Sequence, residues 1–112
     1  MTEFQTETTD TGIGVVRPRG RLNMVAAPRL RSVVAELVAQ GTARIVVDLS
    51  ETDSMDSSGL GALIAGLKTA RQAGGDLRIA GAGAQVEAVL DLTNLRRVLR
   101  PRPDVASAFA GD

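Results

Sequence analysis

Apolar residues recur along this chain with two periods, and the change from one to the other marks its central feature. Val46, Val47 and Leu49 form a short, largely β-branched run, the pattern of a strand covered on both faces. From Leu60 the period lengthens: Leu60, Leu63, Ile64 and Leu67 sit at i, i+3, i+4 and i+7, one stripe of an α-helix. Between them lie an acidic loop and the turn Asp56-Ser57-Ser58-Gly59, so the helix is predicted to start close to the two serines. Upstream, Leu30, Val33, Val34, Leu37 and Val38 form a second stripe, opened at Pro28 and stopped at Gly41. Ile13, Val15 and Val16 predict a strand that is an edge, or ends, at Pro18, because proline has no N–H for a ladder. Phe4, Thr6 and Thr8 alternate, which fits either an edge strand or a frayed terminus in residues 1–11. Past Gly74-Gly75, a strand is predicted over residues 77–80 and a helix over 84–92. The tail predicts a short strand around Leu95, Val98 and Leu99, then a last helix opened by Pro103 and Asp104.

Strands alternating with helices imply an α/β arrangement, with parallel neighbours joined by right-handed crossovers. At 112 residues the chain reads as one domain, residues 1–112. Thirteen basic and thirteen acidic residues cancel, so no field of one sign draws it to nucleic acid or an anionic membrane. No apolar run is long enough for a membrane span and no signal peptide is visible, so the expected setting is the cytoplasm. The chain lacks histidine and cysteine, which excludes serine–histidine and cysteine–histidine hydrolysis and the usual zinc sites. The only lysine, Lys68, falls on the helix after the serine turn, where a solvated face is the expected role.

Two readings of Asp56-Ser57-Ser58-Gly59 stand side by side. Asp and Ser are the residues that helix starts favour, because a side-chain oxygen accepts from a first-turn N–H. Alternatively one hydroxyl is covalently modified. A phosphate there would meet the positive end of the helix dipole and free N–H groups. Gly59 and Gly61 add to the second reading, since glycine inside a helix costs about 0.5–1 kcal/mol relative to alanine. Close approach by another surface would explain bare backbone there.

The segment VDLSETDSMDSSGLGALIAGLKTARQAGGDLRIAG resembles the core of a STAS domain of the anti-sigma factor antagonist type. The matching features are Asp48-Leu49 ending a strand, the D-S-S-G turn at residues 56–59, Leu60 with Leu63, and Gly74-Gly75. They run in order through residues 12–109. The resemblance implies a single layer of mixed, mostly parallel sheet of about four to five strands with about four helices packed against it. It implies a binding protein and not an enzyme, with no cofactor and no metal. In this family the unphosphorylated form binds an anti-sigma factor that is also a serine kinase and so frees a sigma factor. Phosphorylation of the second serine, here Ser58 with Ser57 its neighbour, ends that binding, and a serine phosphatase restores it. The implied partner surface is Asn23, Asp56, Ser57, Ser58, Gly59, Leu60 and Gly61. The family commonly has an acid at the position of Asn23, within G-E-L-D or G-E-I-D; here Arg21 and Asn23 replace the two acids, and Asn23 is left to act as a neutral cap.

Other roles compete. STAS domains also serve in stressosomes and as accessory subunits of lipid transporters. Gly81-Ala82-Gly83 is half of a dinucleotide fingerprint, which leaves a small nucleotide-binding domain as a further alternative, though the third glycine and a Walker lysine are missing. Arg96, Arg97, Arg100 and Arg102 form a basic cluster, but no Trp or Tyr is present to stack on bases, so a solvated patch or a contact to a partner's acids is expected. Asp48, Glu51, Asp53 and Asp56 are read as a solvated acidic loop before a divalent-ion site. A phosphate at Ser58 would join these carboxylates and repel a docked partner without unfolding the chain.

Overall fold

The computed structural model describes residues 2–111. Five strands and four helices follow in the order β1 (Glu3–Thr8), β2 (Gly14–Leu22), α1 (Ala27–Ala39), β3 (Arg44–Asp48), β4 (Thr52–Met55), α2 (Ser57–Gln72), β5 (Asp76–Ala80), α3 (Ala84–Thr93) and α4 (Arg96–Leu99). The sheet runs β1-β2-β3-β5. β1 is an edge strand, antiparallel to β2; β2, β3 and β5 are mutually parallel, joined through α1 and α2.

β2 continues through Pro18, against the sequence expectation that it stops or lies at an edge there. The reason is a change of partner. On the side away from β1, Gly14, Val15 and Val16 pair with β3, whereas Gly20, Arg21 and Leu22 pair with β4. Pro18 falls in the gap, where no ladder asks it for a donor, and its carbonyl accepts from Thr52 Oγ1 at 3.0 Å. β4 itself occupies part of the segment expected to be an acidic loop. It is short, and only Thr52 and Met55 are buried, so its sequence shows no strand period.

The alternation of β3 separates two cores. Ile45 and Val47 face the main one, built with Leu30, Val34 and Leu37 of α1 and Leu60, Leu63 and Leu67 of α2. Val46 faces a small second cluster with Ala80, Ala108 and Phe109. Residues 105–110 form turns and not the expected helix, and the expected strand near Leu95 is α4. These turns cover the second face of the sheet. The Phe109 ring centroid lies 4.8 Å from the guanidinium of Arg44 and 4.5 Å from that of Arg78. Arg78 is buried in mid-strand and donates to the Ala108 carbonyl at 3.1 Å, so the charge that interrupts the apolar run of β5 holds the tail down. Among the described residues no helix is long and apolar enough to cross a membrane.

Candidate functional site

β2 and β4 end together, with Leu22 opposite Met55. The residues that follow them, Asn23 and Asp56, therefore leave the sheet side by side, and the Asp56 N–H donates back to the Leu22 carbonyl at 3.3 Å. The serine turn and the Asn23 corner thus lie next to each other.

α2 starts at Ser57. Its cap is Asp56, in an extended conformation, whose Oδ1 accepts from the Gly59 N–H at 3.0 Å. The cap is thus the aspartate and not a serine hydroxyl. Ser57 is exposed and Ser58 half-buried, and among the described residues neither hydroxyl is hydrogen-bonded to protein. Their N–H groups belong to the first turn, which the helix leaves without carbonyl partners. A free hydroxyl beside free donors at the positive helix end is a setting that accepts an anionic substituent.

The glycines have different reasons. A Cβ on Gly59 would lie 2.1 Å from the Leu22 carbonyl oxygen, so the bare backbone there serves the chain's own packing and Gly59 is buried. Leu60 is buried too. Gly61 is half-exposed, and a Cβ there would meet only Arg31 Nη2, at 3.7 Å. Of the expected contact residues, Asn23, Asp56, Ser57, Ser58 and Gly61 have surface to offer, while Gly59 and Leu60 support them from beneath.

Asn23 Oδ1 accepts from the Val25 and Ala26 N–H groups, each at 3.1 Å, and so caps the turn that leads into α1. That turn carries Met24 and Val25, 72% and 73% exposed, beside the serine turn. Two large apolar side chains held in solvent next to a candidate site suit contact with another protein. Sequence reading passed over them, although both fall outside the α1 stripe.

The four acids do not pool. Asp48 is buried and takes Arg17 Nε at 2.8 Å and the Ser50 N–H at 3.0 Å. Burial pushes its carboxyl up, but the hydrogen bonds from Arg17 and Ser50 outweigh burial and hold it below the usual carboxylate range. Arg17 is held higher by the same bond. Glu51 pairs with Arg19 at 3.3 Å, and Asp53 shares an open cleft with Arg21, Asn23 and Arg29. Only Asp56 abuts the serines, so a phosphate at Ser58 would not join four carboxylates. Among the described residues no three acidic, histidine or cysteine side chains come together as a metal site.

Gly81 does turn sharply, with φ +68°, but its N–H donates to the Arg102 carbonyl at 3.0 Å and is not available to a phosphate. Arg96 of the basic cluster pairs with Glu87 and Asp91 of α3. A residue without a sequence signal is Gln85, on the first turn of α3. It accepts from the Met55 N–H at 2.8 Å and donates to the Met55 carbonyl at 3.1 Å.

A family model described as the STAS domain matches residues 4–108. The chain is 30% identical over 84 residues to an anti-sigma-B factor antagonist of Staphylococcus epidermidis, covering 75% of this chain and 78% of that protein. The crystal structure of an anti-sigma factor antagonist from Mycobacterium paratuberculosis superposes with a TM-score of 0.84 at 26% identity, over 96% of this chain and 90% of that one. The phosphorylated form of the Bacillus cell fate determinant SpoIIAA shares the fold, with a TM-score of 0.73 at 20% identity over 94% and 95% of the two chains.

Proposed function

The chain belongs to the STAS domain family, and from that premise we propose that it is an anti-sigma factor antagonist switched by phosphorylation at Ser58. In its unmodified form it binds an anti-sigma factor serine kinase in the cytoplasm, through the Asn23 corner and the first turn of α2, and the sigma factor is released. The kinase transfers the terminal phosphoryl group of ATP: the Ser58 Oγ–P bond forms, the bond to ADP breaks, and the hydroxyl proton leaves to the kinase. A serine phosphatase reverses the step with water. The observation that supports this reading is the half-buried Ser58 hydroxyl at the opened end of α2, free of protein partners among the described residues.

The phosphate adds about 1.5–2 negative charges at neutral pH. The first-turn N–H groups offset that charge within the chain, so the fold persists. A partner lying over Met24, Val25 and Gly61 meets a new dianion where it was apolar, and its binding is lost by desolvation and steric conflict.

The test is intact-mass spectrometry with fragment mapping, on protein taken from its own cells before and after stress. A phosphate on Ser58 in one condition and absent in the other supports the switch; an unmodified chain in every condition removes it. Ser58→Asp is expected to weaken capture of the kinase at least tenfold, about 1.4 kcal/mol, and equal capture by the variant and the wild type would defeat the charge mechanism.

A further inference from the structure

Among the described residues β4 has a strand neighbour on one side only. It pairs with β2, and its other edge faces the start of α3. At that edge the side-chain amide of Gln85 meets the backbone of Met55 twice, accepting its N–H at 2.8 Å and donating to its carbonyl at 3.1 Å. A primary amide has the same donor and acceptor as a peptide unit, so Gln85 makes the pair of bonds that one residue of a further strand would make.

The next residue along the chain is Asp56. Its N–H turns the other way, to the Leu22 carbonyl, and its carboxylate caps α2 through Gly59. Met55 is therefore held from the α3 side and Asp56 from the β2 side, immediately before Ser57. α3 itself is fastened by Val86 and Leu90, both fully buried, whereas Gln85 is on its exposed face. Apolar burial thus seats α3, and the two Gln85 bonds join it to the strand end that launches the serine turn.

We propose that Gln85 is the positioning residue of the Ser57-Ser58 turn: it closes the open edge of β4 at Met55 and so fixes where α2 begins and where Ser58 is presented. The functional consequence rests on the reading of Ser58 as the phosphoryl acceptor, but the positioning does not. Loosening this edge lets Met55 and Asp56 fray, and the cap at Gly59 opens with them.

The experiment uses the full chain with Gln85→Ala and Gln85→Glu, followed by amide hydrogen exchange resolved by NMR. In Gln85→Ala the protection of the Met55, Asp56 and Gly59 amides is expected to fall about tenfold, with that of Ile45 and Val47 in β3 unchanged. The glutamate variant provides a signature that a merely structural role would not. Its protonated carboxyl is isosteric with the amide and makes both bonds, whereas its carboxylate can only accept. On ionisation the carboxylate still takes the Met55 N–H but gives up the bond to the Met55 carbonyl, so protection at Asp56 and Gly59 is wild-type-like in acid and falls with a midpoint above the ordinary glutamate value of about 4.3. The charged neighbours along the two elements are Asp53 and Asp56, flanking Met55 in the chain, and Glu87, next but one to position 85 on α3 and paired with Arg96 of α4. The first two favour its neutral form further.

Unchanged protection at Met55 and Gly59 in Gln85→Ala, or the absence of a pH step in Gln85→Glu that the wild type lacks, overturns the positioning role. A second readout is the Ser58 phosphate carried by Gln85→Ala in its own cells, expected to fall severalfold relative to wild type. Equal occupancy would overturn the consequence for presentation. A wild type without any phosphate would instead defeat the reading of Ser58, and the exchange data would still decide Gln85.

Discussion

Asp56, Gly59 and Gly61 show how differently three neighbouring residues can constrain one turn. The Asp56 carboxylate satisfies a first-turn donor, so Asp56→Ala is expected to destabilise the protein by about 1 kcal/mol while Asp56→Asn keeps most of the cap. Urea midpoints of the two variants check this, and equal midpoints would deny the cap its role. Gly59→Ala places a methyl group against the Leu22 carbonyl, 2.1 Å away where backbone cannot yield cheaply. It is expected to cost about 3 kcal/mol or more. Gly61→Ala finds room, with its nearest neighbour at 3.7 Å, and is expected to stabilise the helix by about 0.5–1 kcal/mol. Reversed signs in thermal melts of the pair would contradict the geometry. The sequence pattern reads both glycines as positions needing bare backbone, whereas the structure gives an internal reason for Gly59 alone, because Leu22 is far away along the chain and arrives only through the pairing of β2 with β4.

At the level of elements, the pairing of parallel strands is tied by a charge. Arg17 on β2 and Asp48 at the end of β3 meet at 2.8 Å, beside the corner where β5 also ends. The Asp48 carboxyl lies below its ordinary value in the folded chain. Its contribution is therefore fully present above the unfolded value of about 3.9 and is lost as pH falls through the lower folded value. Denaturant titrations across pH 2–7 should show Asp48→Asn less stable than wild type near neutrality, with the difference shrinking below about pH 4. A constant difference across that range would show that the pair contributes nothing through its charge. Element boundaries followed the periods closely for α1 and α2, where apolar stripes are long. They failed for β4 and α4, which are short, and for β2, where the partner changes at Pro18.

The whole molecule depends on a tail that covers the second face of its sheet. Phe109 is 7% exposed and lies against Arg44 and Arg78. Phe109→Ala is expected to cost about 3–5 kcal/mol and to expose Val46 and Ala80. Amide exchange in β3 and β5 would then rise ahead of that in α1. If the variant instead melts with the wild type, the tail is not part of the folded unit.

The sequence carries the class of the fold and the start of α2. Its two periods separate strands from helices, and the D-S-S-G turn marks the start of α2, because these are local signals that a few neighbouring residues carry. The tertiary structure brings Arg17 to Asp48 and Arg19 to Glu51, so that the acids disperse, and leaves Asp56 as the cap of α2. It also brought Gln85 to the open edge of Met55, thirty positions away in the chain. The ion pairs and the Gln85 contact share one physical reason: each rests on a hydrogen bond or ion pair whose geometry is set by strand pairing and helix docking, and polar side chains leave no period in a sequence by which such pairings can be foreseen.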